Sequence, residues 1–110
     1  MTDKIVVLCT CAALEDGERM ARALLDARLA ACVSVLPGVK SYYHWKGELE
    51  SASECLLVIK SSGALFGELR KTIEEMHAYE IPEVLALPVV DGAPNYLEWM
   101  SANLRPGADR

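Results

Sequence analysis

Basic charge is in deficit, aromatic residues are few, and no long hydrophobic run is present. Lysine and arginine number 11 against 16 aspartate and glutamate, which leaves a formal net charge of −5. A surface of that sign repels phosphate backbones and anionic lipid, so neither nucleic acid nor a membrane surface is expected as a partner. The longest apolar stretches, Ile5-Val6-Val7-Leu8-Cys9 and Leu56-Leu57-Val58-Ile59, fall far short of the roughly 20 residues of a membrane span. No membrane insertion is expected. Met1-Thr2-Asp3-Lys4 runs straight into a strand pattern without a signal-peptide core, which points to the cytoplasm. Aromatic residues make up 6%, so aliphatic side chains and alanine must fill the interior.

The catalytic and structural-metal signatures are also missing. The four cysteines, Cys9, Cys11, Cys32 and Cys55, form no CxxC pair and no zinc-ribbon spacing. Each lies in or beside an apolar stretch, the ordinary setting of a small buried hydrophobe in a reducing compartment. There is no HExxH, no phosphate-binding P-loop and no Ser-His-Asp pattern. After the first strand, Thr10-Cys11-Ala12-Ala13-Leu14 offers neither glycine nor arginine for an acylphosphatase-type phosphate cradle. The chain is not expected to be an enzyme.

What is present is enough for a core. Hydrophobic residues make up 52% of the 110 positions, consistent with one domain over residues 1–110. Lys4 to Cys11 is a β-branched apolar run and reads as a buried strand. Glu15 to Leu29 reads as a helix, with Met20, Leu24, Ala27 and Ala31 on one face and Glu15, Glu18, Arg19, Arg22 and Asp26 on the other. Cys32 to Trp45 reads as a long strand interrupted at Pro37-Gly38, where a bulge is expected. Lys46-Gly47 is a hairpin turn, and Glu48 to Ser62 is the returning strand, most buried from Cys55 to Ile59. Ala64 to Tyr79 is the second helix, Glu83 to Val90 the last core strand, and Asn95 to Leu104 a terminal helix. Arg105 to Arg110 reads as frayed.

The order βαββαβ plus a helix predicts an α+β, ferredoxin-like sandwich: an antiparallel sheet with two helices on one face. The other face needs a cover, and the hairpin from residue 32 to residue 62 should overhang the core. An overhang carrying Tyr42, Tyr43 and Trp45 points to an oligomer formed through that hairpin.

Several motifs in series then resemble one family. Ala30-Ala31-Cys32-Val33, Leu36-Pro37-Gly38-Val39, Ser41-Tyr42-Tyr43-His44-Trp45 and Gly47-Glu48-Leu49-Glu50 follow one another as in CutA divalent-cation-tolerance proteins. So do Leu57-Val58-Ile59-Lys60, Tyr79-Glu80-Ile81-Pro82-Glu83-Val84, Ala86-Leu87-Pro88-Val89 and Asn95-Tyr96-Leu97-Glu98-Trp99. The resemblance implies a homotrimer similar to PII-like signalling trimers, a role in tolerance of divalent metal ions, and copper binding.

It also implies ligands. The family's attributed copper ligands are a cysteine ending the first strand and two histidines ending the second helix. These positions fall on Cys9, Met76 and His77, so a thioether stands where the family has its first imidazole. Ala78 replaces the proline that commonly follows. Thiolate and imidazole suit copper, and a thioether suits Cu(I). Cys9 and Cys11 are two apart on a strand and share a face, which makes Cys11 a further possible donor. The plainer reading of each residue is packing for Cys9 and Met76, and a hydrogen-bonded histidine at a helix end for His77. Tyr42, Tyr43, His44 and Trp45 can line a pocket between subunits, with Lys60 and Glu83 near it. The alternative to metal binding is accordingly a PII-like sensor of a small molecule or partner protein.

Overall fold

The computed structural model describes residues 1–107. Period-two alternation makes β1 (Lys4–Cys11), with Val7, Cys9 and Cys11 buried beneath the helices and Val6 and Leu8 on the opposite face. β1 pairs with β3 (Glu48–Ser62) on one side and β4 (Leu85–Pro88) on the other, while β2 (Cys32–Trp45) pairs with β3. All pairings are antiparallel and the spatial order is β2-β3-β1-β4, the expected ferredoxin-like arrangement. Helices α1 (Leu14–Asp26) and α2 (Phe66–Met76) cover one face; α3 (Pro94–Asn103) follows β4, with proline in its first turn.

The long hairpin is built as the sequence suggested. The β2–β3 register shifts between Leu36 and Val39, and Gly38 there has φ +75°. Lys46 and Gly47 take φ of 53° and 81°, both positive, which is the type I′ turn that matches strand twist. The outer half of the hairpin is largely exposed and stretches the molecule to 44 × 25 × 24 Å.

Four boundaries differ from expectation. α1 ends at Asp26 rather than Leu29, because the chain closes in a Schellman motif without glycine. Leu29 N–H bonds Leu24 C=O at 2.9 Å and Arg28 N–H bonds Leu25 C=O at 3.0 Å, with Arg28 left-handed at φ 56°. The left-handed residue costs about 1–2 kcal/mol. Burying Leu29 in the core returns about as much or more, about 1.5–3 kcal/mol. α2 is preceded by a short 3-10 turn, Gly63–Leu65, and ends at Met76, not Tyr79. His77 is already extended (ψ 141°), and its own side chain holds the turn that follows. β4 is limited to Leu85–Pro88, the stretch that faces Ile5–Leu8. The expected fraying from Arg105 does not hold for residues 105–107. Arg105 N–H bonds Arg28 C=O, and its guanidinium pairs with Glu68. The rest of that expected tail lies outside the described residues.

The core lies between helices and sheet: Val7, Cys9 and Cys11 from β1, Met20 and Leu24 from α1, Cys55, Leu57 and Ile59 from β3, Leu69 and Ile73 from α2. On the other sheet face, away from α1 and α2, Leu85 and Leu87 of β4 stand 57% and 46% exposed.

Candidate metal centre

Two strand residues and one helix end meet at one corner of the core. Cys9 and Cys11 project from the same face of β1, as period two requires, and α2 delivers His77 above them at its C-terminal cap. Among the described residues, the ligand atoms of Cys9, Cys11 and His77 lie within 4.8 Å of one another. Cys11, Met20, Met76, His77 and Tyr79 line a small cleft of about 20 Å³, roughly the room of one water-sized guest. Cys9 is fully buried behind it. Met76 packs partly against the core and borders the cleft. All four donors singled out in the sequence are therefore at one place.

The imidazole is already engaged on both sides. His77 Nδ1 accepts from Tyr79 N–H at 3.1 Å, which leaves the proton on Nε2, and Nε2–H donates to Thr10 C=O at 2.6 Å. Both ring nitrogens are therefore occupied by backbone partners. Either nitrogen must give up a protein hydrogen bond to take a metal, a loss of about 1 kcal/mol against the metal bond gained.

The two thiols divide their roles. The hydrogen bond to Cys11 comes first, and burial second, in pushing the Cys9 thiol far above the ordinary thiol range. The same bond draws Cys11 down. Cys9 Sγ also lies 3.7 Å from Thr10 C=O, a weaker claim on the same proton. Tyr79 is pushed above its usual range by burial and by its hydrogen bond to Glu54, Oη to Oε2 at 2.7 Å.

The donor set fits a soft ion. Two sulfurs and an imidazole with a thioether at the margin match Cu(I) far better than Mg²⁺ or Ca²⁺, which demand oxygen. The other residues marked in the sequence are elsewhere. Tyr42, Tyr43, Trp45 and Glu83 line a groove on the sheet side away from α1 and α2, without His44 or Lys60. Lys60 Nζ instead sits 5.8 Å from the Tyr96 ring centre. Sequence reasoning missed the roles of Thr10 and Tyr79, which hold the imidazole, since one acts through its carbonyl and the other through its amide.

Fold and site together define a class: a ferredoxin-like α+β chain with a long overhanging hairpin and a buried Cys/Cys/His corner. The family model for CutA1 divalent ion tolerance protein matches residues 5–103. The divalent-cation tolerance protein CutA of Pectobacterium atrosepticum is 43% identical over 105 residues, covering 96% of each chain. The chloroplastic protein CutA of Arabidopsis thaliana is 41% identical over 101 residues, which are 92% of this chain but 56% of that protein's length. The crystal structure of CutA from Xylella fastidiosa superposes with a TM-score of 0.92 at 35% identity, covering 94% of this chain and 100% of that one. The chain belongs to the CutA1 divalent ion tolerance family.

Proposed function

We propose that this chain is a non-catalytic, cytoplasmic metal-binding protein that serves tolerance of divalent metal ions. It assembles as a homotrimer and takes copper as Cu(I) through Cys9, Cys11 and His77, with Met76 beside them. The observation that carries this reading is the convergence of two thiols and an imidazole within 4.8 Å. When bound, the ion supplies a soft Lewis-acid centre. The protein's part is to hold both sulfurs on one rigid strand, exclude water, and release the imidazole from Tyr79 or Thr10. Four free cysteines suit a reducing compartment. The sheet face away from α1 and α2, with Leu85 and Leu87 exposed, supports assembly. The names of the relatives, which speak of divalent-cation tolerance, support the metal role.

The test is the metal content of tag-free protein purified under reducing conditions, with X-ray absorption at the copper edge. Near-stoichiometric copper in a sulfur-rich shell with a nitrogen is expected. Metal-free protein that stays metal-free on Cu(I) addition would reject the reading. A second reading, a small-molecule sensor, is favoured by the groove on the sheet side away from α1 and α2.

A further inference from the structure

Three of the four cysteines share one patch of the core, under α1 and α2 and away from the sheet face that supports assembly. Cys9 and Cys11 of β1 and Cys55 of β3 are all buried there. The metal corner uses the first two and leaves Cys55 without a role. Yet the β1–β3 register sets Cys55 directly opposite Cys11. Residues so placed project their side chains from the same face of the sheet. The backbone fixes the kind of pair. Gly63 N–H bonds Asp3 C=O at 2.8 Å, so Asp3 turns its backbone groups toward β3. That direction alternates along a strand. Cys11, an even number of residues further on, also faces β3, while Thr10 turns its carbonyl away, to His77. Cys11 and Cys55 are therefore a hydrogen-bonded pair, with Cα atoms about 5.5 Å apart.

A disulfide spans Cα atoms about 4.4–6.8 Å apart, so the pair is within reach. Its Cβ atoms, about 4.5–5.5 Å apart in such a pair, must close to about 3.5–4.5 Å, which draws the strands together by up to about 1 Å. A bond closed under that strain is readily reduced again, the behaviour of a regulatory disulfide and not of a structural one. Cys9 is the poorer partner for Cys11. Two residues along one strand put their Cα atoms about 6.6–6.8 Å apart, at the limit of the range. Access comes from the other side of Cys11, which borders the cleft of about 20 Å³ together with Ala12, Met76 and His77. A guest little larger than water can enter there; an oxidant the size of a disulfide-bonded peptide cannot.

We infer that Cys11 and Cys55 are a reversible cross-strand disulfide site, oxidised by hydrogen peroxide, whose closure unloads the metal corner. In the first step the Cys11 sulfur attacks the peroxide: an S–O bond forms, the O–O bond breaks, water leaves, and Cys11 becomes a sulfenic acid. In the second, the Cys55 sulfur attacks the Cys11 sulfur: the S–S bond forms, the S–O bond breaks, and the hydroxyl leaves as water with the Cys55 proton. Both thiols are oxidised and the peroxide is reduced to water. Cys11 is then no longer a thiolate donor, and Cys9 and His77 remain with Met76 beside them. Cu(I) and Cys55 compete for one sulfur, so each disfavours the other. The unloading rests on the copper reading above; the disulfide itself does not.

The experiment treats the reduced, metal-free full chain with hydrogen peroxide, in a Cys32→Ser background that removes the half-buried fourth thiol. Alkylation, digestion and mass mapping are expected to show a peptide linked through Cys11 and Cys55 that dithiothreitol separates. Competitive Cu(I) titration should show affinity at least about tenfold lower in the linked protein, restored on reduction, and Cu(I) loaded beforehand should slow the linkage. Cys55→Ala should keep the Cu(I) affinity of the reduced parent, form no link, and leave a Cys11 sulfenic acid that dimedone captures. The mapping itself needs no change at Cys11 or Cys55, so it stands even if that variant fails to fold. Intact thiols under excess peroxide overturn the inference, as does a link between Cys9 and Cys11, or unchanged Cu(I) affinity in the linked protein. Cu(I) binding without any link sinks the disulfide site alone. A link in a protein that binds no Cu(I) when reduced rejects the copper reading and the unloading, and upholds the disulfide site.

Discussion

Gly17 tests how tightly the helix layer sits on the sheet. It lies inside α1, where glycine costs about 1 kcal/mol relative to alanine, so an isolated helix would gain from Gly17→Ala. The structure opposes that gain. A Cβ at Gly17 would meet Cys55 Sγ at 3.0 Å and Leu57 Cδ2 at 3.2 Å. The Leu57 methyl is the end of a flexible side chain and can turn; the Cys55 sulfur sits two bonds from the strand backbone and has little room to retreat. Overpacking of this kind costs about 1–3 kcal/mol. The net expectation for Gly17→Ala is a loss of about 1 kcal/mol, within a range of about 0–2. In a Cys55→Ala background the sulfur contact is gone, and the same change should stabilise by about 0.5 kcal/mol. The assay is a double-mutant cycle by denaturant unfolding at fixed chain concentration, so that any oligomerisation affects all four proteins alike. A coupling of about 1.5 kcal/mol is expected. If Gly17→Ala stabilises the wild-type background by the full helix-propensity gain, α1 does not pack on β3 as described.

Leu57→Ala and Ile59→Ala each empty a fully buried site on β3 and should lower unfolding free energy by about 2–5 kcal/mol; an unchanged denaturation midpoint would refute their burial. Sedimentation equilibrium should give about three times the 12.0 kDa chain mass, and a concentration-independent monomer would remove the assembly proposal. The Arg105 guanidinium, by hydrogen bond and by charge, holds the exposed Glu68 carboxyl below the ordinary carboxylate range. Because the folded value is the lower one, this stabilisation is present above the unfolded carboxylate value and is lost as pH falls through the folded one. The melting-temperature gap between wild type and Glu68→Gln should therefore close below about pH 4, and a gap that widens on acidification would contradict the pairing.

Much of this architecture was legible because its signals are local. Alternation in Lys4–Cys11, the Pro37-Gly38 interruption and the Lys46-Gly47 turn each encode their own geometry. The ends of the helices were not, because they depend on partners remote in sequence or on uncommon backbone choices. Arg28 takes a conformation usually left to glycine so that Leu29 can reach the core. The turn after α2 is held by the His77 ring, not by glycine or proline. β4 is trimmed to the four residues that β1 can pair. At the candidate metal centre, period two put Cys9 and Cys11 on one face, and the family resemblance added Met76 and His77. What no sequence pattern announced is that both imidazole nitrogens already have backbone partners, at Thr10 and Tyr79.

The central claim is that the Cys9–Cys11–His77 corner binds soft copper. Its most direct test is competitive titration of Cu(I) against a chromophoric chelator for wild type, Cys9→Ser, Met76→Leu and His77→Ala, each checked for unchanged sedimentation. The account predicts that Cys9→Ser and His77→Ala each lose at least about tenfold in affinity, with Met76→Leu between them and wild type. Equal affinity in all four proteins would contradict it.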